Sequence, residues 1–229
     1  MNKSKKIILF GTGDLAQIAK GYFERDTEYQ PVCFTVDRSY LGKTELLGLP
    51  VVPYDELEYR YSPIDHEAHV CVVYDAMNRT RAAICRRMES DGYKLASYIS
   101  PHAFIAPSVR LGKHCFIFEN NVIQDFVEIG DNAIFWSGNH IGHNSRIHNN
   151  VFISSHVVVS GHCDIGHNSF IGVNSTLANN TVLGKESWVM HGAVLSGNIP
   201  EGSFVKTVQS EWVPLNEKAL ARALERNRR

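Results

Sequence analysis

His143 is the side chain whose spacing from other groups best suits it to move a proton. It stands in Asn139-His140-Ile141-Gly142-His143-Asn144, eighteen residues after Asp125 and eighteen before Gly161. An imidazole titrates near neutral pH, and a carboxylate on one ring nitrogen fixes the tautomer and raises the basicity of the other. Asp125 is therefore expected to orient His143 as a general base. Gly161 has no side chain, so it would leave room beside the imidazole for a slender ligand and expose a backbone N–H. A second group lies near the N-terminus, where Gly11-Thr12-Gly13-Asp14-Leu15-Ala16 follows the apolar strand Lys6–Phe10 and opens a helical pattern running to Phe23. Such a strand, glycine turn and helix form a nucleotide-binding unit in which small residues let phosphates reach the helix N-terminus. The next strand, Val32–Val36, runs into Asp37 and Arg38, and an acidic residue at that place meets a ribose hydroxyl.

The spacing of eighteen has meaning because of the elements that carry it. From Ile105 to Leu195 every sixth residue is aliphatic or aromatic, with a small or β-branched residue usually four places further on, from Val109 and Cys115 to Ala193. Neither the helical nor the strand period produces this pattern. It is the hexapeptide signature of a parallel β-helix, in which each hexad supplies a short strand and a corner and three hexads close a triangular turn. Residues eighteen apart then stack at the inter-strand spacing of about 4.7–4.9 Å. Asn and Gly, Gly112, Gly130 and Gly142 among them, crowd the expected corners because both tolerate left-handed backbone. The breaks in the small-residue position, Asn121 and Asn139, are expected to form an asparagine ladder in which each satisfies the other's amide. Most coil histidines, His114, His148 and His191 included, read as surface decoration.

Ahead of the coil, further strands over Val70–Tyr74 and Lys94–Ile99 flank a helix over Arg79–Asp91, which makes residues 1–100 a small α/β, Rossmann-like domain. It is short for a dinucleotide fold, so a nucleotide-linked sugar fits better than NAD. The coil is expected over 101–205, and a C-terminal extension over 206–229 with a short helix from residue 215 to 226. With 229 residues, 44% hydrophobic content and a net charge of −1, the chain has the core for two domains and no basic footprint for nucleic acid. The N-terminus shows no apolar leader and no run reaches membrane-spanning length, which predicts a cytoplasmic protein without a membrane anchor. The cysteines Cys33, Cys71, Cys85, Cys115 and Cys163 are scattered and read as reduced, buried thiols.

The Gly-Thr-Gly-Asp turn, the short α/β domain and the uninterrupted hexapeptide coil with its Gly142-His143 pair resemble the PglD/NeuD-type sugar O/N-acyltransferases of the left-handed β-helix superfamily. The resemblance spans essentially the whole chain. It implies a left-handed coil, against the usual right-handed crossover, and a homotrimer with active sites between subunits. It implies acyl-CoA, in the first place acetyl-CoA, lying in the groove between coils, and a nucleotide-linked amino-deoxy sugar held by the N-terminal domain, without a metal. N-acylation for surface polysaccharide or glycan biosynthesis is the implied reaction, with O-acylation the near alternative. His143 matches the family's catalytic histidine, but Asn144 stands where an acidic residue often follows it, so Asp125 and Asn144 are rival partners for the ring. The backbone N–H of Gly161 would stabilise the oxyanion. Acyl-CoA would run past Gly161, His162, Val173 and Gly192, and the sugar nucleotide would meet Gly11, Thr12, Gly13, Asp37, Arg38 and His156.

Three other classes compete. The coil also hosts gamma-type zinc carbonic anhydrases, for which His162 and His167 are a candidate pair, but the upstream ligand would fall at Phe126 and the nucleotide domain would have no use. A non-catalytic assembly subunit would leave the Asp125–His143–Gly161 column without a purpose. A sugar nucleotidyltransferase would need a larger N-terminal half with an Arg-containing nucleotide loop.

Overall fold

The computed structural model describes residues 2–208, 210 and 217, so the expected C-terminal helix lies outside the described residues. The N-terminal part runs β1 (Lys5–Phe10), α1 (Asp14–Asp26), β2 (Tyr29–Val36), β3 (Glu45–Leu46), β4 (Leu49–Pro53), α2 (Leu57–Arg60), β5 (His66–Val70), α3 (Arg79–Ser90) and β6 (Lys94–Leu95). The sheet order is β3-β4-β2-β1-β5-β6, parallel except for β3, which forms a hairpin with β4. The order reverses at β1, which has β2 on one side and β5 on the other, and this places a crevice at its C-terminal end.

The strand expected over Val70–Tyr74 is shifted: the paired residues are His66–Val70. β1 turns away at Gly11, where φ is +117°, so nothing remains for Val72–Tyr74 to pair with. The carbonyls of Val72 and Val73 instead accept hydrogen bonds from Arg81 Nη1. The expected strand Lys94–Ile99 is also divided, because Lys94–Leu95 closes the α/β sheet and Tyr98–Ile99 is the first strand of the coil.

The coil has three faces, of seven, six and six parallel two-residue strands. Pairing is in steps of eighteen as far as Leu195, as in Phe116 with Ile134 and Ile134 with Phe152, and the last two strands pair at a step of sixteen, Val182 with Asn198 and Trp188 with Phe204. One residue of each strand, such as Ile117, Phe135 and Ile153, fills the fully buried interior. The other points outward and gives each face its character. On the first face Phe116, Ile134, Phe152 and Phe170 are buried against Leu9, Leu15 and Phe23 of the N-terminal domain. The second face presents Phe104, Val122, Val158 and Val194 to solvent, and the third an ion-paired row, Arg110–Glu128–Arg146.

From His114 to Gly192 every sixth residue has a positive φ, 56–63° wherever it is not glycine. These are the corner residues, and Asn, His and Gly fill most of them because they accept left-handed backbone at least cost. Gly142 is not one of them, nor are Gly112 and Gly130; a Cβ on Gly142 would come within 2.5 Å of the Ser160 carbonyl carbon, so close approach of the next turn excludes a side chain there. Asn121 and Asn139 do not bond each other. Each donates to main-chain carbonyls of its corner, both sharing that of Trp136. The asparagine ladder forms elsewhere, where Asn132 donates to Asn150 (2.8 Å) and Asn150 to Asn168 (2.9 Å).

That ladder meets the N-terminal domain. Arg81, fully buried, donates from Nε to Asn132 Oδ1 (3.0 Å), and His114 Nδ1 lies 2.8 Å from the same oxygen. His114 is only 2% exposed, not surface decoration, because α3 and β5 cover its corner and the Val70 N–H donates to its Nε2. Its ring stacks on that of His69 at 4.3 Å. All five cysteines are free and buried, and among the described residues no helix is long and apolar enough to cross a membrane.

Burial lowers the pKa of His69 from 6.5 to about 4, and burial together with His69 pushes His114 down as well. The unfolded chain therefore binds more protons between those values, and stability falls as pH drops from 6.5 toward 4. For His69 alone the loss between pH 7.5 and pH 5 is about 2 kcal/mol. Urea unfolding across that range is expected to show it, and His69→Phe is expected to flatten the profile by that amount; equal slopes in the two proteins would contradict this account.

Candidate active site

His143 lies at the corner between the second and third faces, exposed on the outside of the coil. Its Nδ1 is 3.0 Å from Asn144 Oδ1. Since that oxygen can only accept, Nδ1 carries the hydrogen and Nε2 is left with a free lone pair. Asp125 does not hold the ring: its Oδ1 accepts a hydrogen bond from Ser108 Oγ of the preceding turn at 2.7 Å. The His143 backbone N–H is fixed separately by Gln124 Oε1 (3.0 Å).

Gly161 lies under the ring as its spacing predicts, and a Cβ there would stand 2.8 Å from His143 Nε2. Its N–H is not free, because it donates to Asn179 Oδ1 at 2.9 Å. The same device recurs where the Lys113 N–H donates to Asp131 Oδ1, eighteen residues on. His162 meets His143 edge to face at 5.1 Å. It lines, with Phe126, Asn144 and Arg146, a groove of about 430 Å³ next to His143. Among the described residues no three His, Cys, Asp or Glu side chains converge as metal ligands.

A second site occupies the corner between the first and second faces. A cleft of about 460 Å³ separates the N-terminus of α1 (Gly13, Asp14, Leu15) from Trp136, Phe152, Ser154, Ser155, Phe170 and Val173 of the coil, with Cys71, Val73 and Tyr74 as its remaining wall. No side chain caps α1, so its first N–H groups and the positive end of its dipole are available to an anion entering the cleft. Gly13 has open space where a Cβ would be, and a Cβ on Gly11 would stand 3.2 Å from the Cys71 carbonyl oxygen. Thr12 contributes its carbonyl, an acceptor for Gln17 Nε2. Burial pushes the Cys71 thiol up, which keeps it protonated.

Of the remaining expected residues, Val173 lines the cleft, whereas His156, next in sequence to Ser155, is not among the cleft residues; its ring lies 2.7 Å from the place of a Cβ on Gly138. Gly192 donates its N–H to the Val173 carbonyl. Asp37 ends β2 as expected but is paired with Arg87 at 2.8 Å. Arg38 points away to Asp55 (2.7 Å) and Glu56 (2.8 Å), which removes it from the cleft residues. The aromatic floor of the cleft was not anticipated. Its signal was present in the sequence, since Phe116, Ile134, Phe152, Phe170 and Trp188 recur at steps of eighteen in outward positions where the other faces alternate charge or aliphatics.

The family described as "Bacterial transferase hexapeptide (six repeats)" matches residues 108–143 and 144–179, and "Hexapeptide repeat of succinyl-transferase" matches 164–196. No curated protein matches the sequence. Among solved structures, the acetyltransferase domain of PglB from Neisseria gonorrhoeae FA1090 is 26% identical with a TM-score of 0.78, covering 87% of this chain and 95% of that one. The same domain has been solved with acetyl coenzyme A. PerB from Caulobacter crescentus, solved with CoA and GDP-perosamine, is 23% identical (TM-score 0.76, 86% of this chain, 91% of that chain). WeeI from Acinetobacter baumannii AYE is 20% identical (TM-score 0.74, 87% and 95%). The coil is thus left-handed, residues 108–196 carry the hexapeptide repeats that these family descriptions name, and the chain shares the fold of the PglB acetyltransferase domain.

Proposed function

We propose that this protein is an acyl-CoA-dependent N-acetyltransferase that uses acetyl-CoA to acylate a nucleotide-linked amino sugar for surface polysaccharide or glycan synthesis in the cytoplasm. The observation that carries the reading is the His143 ring, held at Nδ1 by Asn144 with Nε2 over the bare backbone of Gly161. Nε2 accepts a proton from the sugar amine as the amine nitrogen attacks the thioester carbonyl carbon. The tetrahedral intermediate then collapses to the amide and expels the CoA thiolate, which takes up the proton. An amine needs little activation beyond deprotonation and positioning, so a neutral Asn144 suffices where a carboxylate would strengthen the base. For Gly161 to serve as the oxyanion donor, the carbonyl oxygen must displace Asn179 Oδ1.

The cleft supports the substrate half of the reading. A diphosphate fits the open N-terminus of α1, and a sugar ring fits the aromatic floor beside it. The two halves lie at different corners, however, with the second face between them. A second copy packed on that uncovered apolar face brings the His143 of one chain to the cleft of another, so we infer a homotrimer with its sites between subunits.

Thiol release from acetyl-CoA with a panel of UDP-, dTDP- and GDP-linked 3-amino and 4-amino sugars tests the reading. At least one member is expected to be turned over, with kcat reduced at least about 100-fold in His143→Ala. Silence with every member would favour an assembly role, and transfer to hydroxyl sugars alone an O-acyltransferase. Asn144→Ala is expected to lower kcat about tenfold, as loss of one oriented hydrogen bond predicts, whereas Asp125→Asn stays within about twofold; the reverse order would restore Asp125 as the partner.

Gly161→Ala separates ring placement from folding. The φ of Gly161 is not in the left-handed region, and the atoms nearest the new methyl are those at the movable end of His143. Tm is expected to stay unchanged while kcat falls about 100-fold through displacement of the base. Wild-type kcat in this variant would show that the ring does not act from its present position.

A further inference from the structure

Ala76, Met77 and Asn78 follow one another in left-handed backbone, with φ of 46°, 57° and 62°. Among the described residues, left-handed positions otherwise occur singly, apart from Leu47-Gly48 in the β3–β4 hairpin. Three in succession make most of a left-handed helical turn, a conformation in which every Cβ crowds the following carbonyl. Asn tolerates it; Ala and Met do not share that tolerance.

The turn is pinned at both ends. Thr80 Oγ1 donates to Asp75 Oδ2 (2.6 Å), Asn78 Nδ2 to the Ser169 carbonyl of the coil (3.2 Å), and Arg81 Nη1 to Asn78 Oδ1 (3.0 Å). Strain of this kind persists where the surroundings over-determine it, and it is concentrated at ligand clamps. What the turn positions is Tyr74. The ring stands edge-on to Phe152 (5.2 Å), Phe170 (5.0 Å) and Trp188 (5.7 Å). It remains 42% exposed and forms part of the cleft wall together with Gly13 and Asp14 of α1.

We propose that Tyr74, held out by the strained turn, is the residue that closes the cleft over the sugar ring of the nucleotide-linked substrate. The inference rests on the function proposed above and adds a specific sugar-binding residue to it. With the diphosphate at the N-terminus of α1, the pyranose lies with its C–H face against the exposed part of the Tyr74 ring, which Phe152 and Phe170 back from the coil side. An aromatic wall discriminates by shape and hydrophobic contact, whereas the neighbouring Ser154 and Ser155 offer hydroxyls for orientation.

The test uses the sugar nucleotide turned over fastest in the panel and the corresponding nucleoside diphosphate alone. Tyr74→Ala is expected to raise KM for the sugar nucleotide about tenfold, leave KM for acetyl-CoA unchanged, and leave the Kd of the nucleoside diphosphate unchanged. Tyr74→Phe is expected to retain wild-type KM. Ala76→Gly relaxes the turn, so Tm rises by about 2 °C while KM for the sugar nucleotide also rises several-fold. A residue that merely braces the two domains gives the opposite pattern, with a lower Tm and an unchanged KM in Tyr74→Ala, and that result overturns the inference alone. An unchanged KM in Ala76→Gly overturns the part assigned to the turn. Silence of the whole panel overturns the reaction and this inference together.

Discussion

From His114 to Gly192 every corner of the coil turns through one left-handed residue, and the stacking of the turns depends on that corner recurring every sixth position. The hydrogen bonds between turns form only if each turn repeats the last in register, as in the ladder from Phe116 through Ile134 to Phe152. Register in turn fixes which side chains share a column. The column through His143 and Gly161 acquires a chemical meaning because the backbone brings the imidazole over a residue with no side chain. The same repetition explains why a corner such as Phe126 bears an aromatic residue at φ 62°: the position demands the conformation whatever residue stands there.

A triangular coil offers three surfaces, and this chain uses each differently. The aromatic first face receives the α/β domain and provides the floor of a cleft. The aliphatic second face is left open, and the third is covered with paired charges. The domain junction is built from groups that tolerate no water. Arg81 is surrounded by neutral acceptors, the oxygens of Asn132, Asn78, Val72 and Val73, and two neutral imidazoles stack beside it. Loss of the Asn132 side-chain oxygen strands the buried Nε–H of Arg81, so the junction fixes the orientation of the N-terminal domain on the coil more firmly than apolar packing alone.

Much of this was legible in the order of residues. The interior of the coil, the pairing of His143 with Gly161 and the glycine turn after β1 follow from period and composition. What escaped were contacts decided by competition. Asp125 stands one turn from His143, but Ser108 captures it first, and the adjacent Asn144 reaches Nδ1. His114 has the same corner position as surface histidines elsewhere, yet it is buried because the N-terminal domain covers that corner. Val72–Tyr74 has strand composition, yet it leaves the sheet because Gly11 ends the strand it would pair with. In each case the deciding partner is distant in the chain, or one among several at equal spacing.

The strict register of the coil carries a consequence for how such a chain can change length. An insertion or deletion of eighteen residues adds or removes a whole turn and leaves each downstream residue on its own face. Another number has to be absorbed within a corner, as the two residues missing before Asn198 are; where it is not, the remainder of the coil rotates, which would move aromatic residues off the N-terminal domain and charges onto the open face. Whole turns can thus be added or removed between the His143 corner and the far end of the coil without disturbing the column through His143 and Gly161.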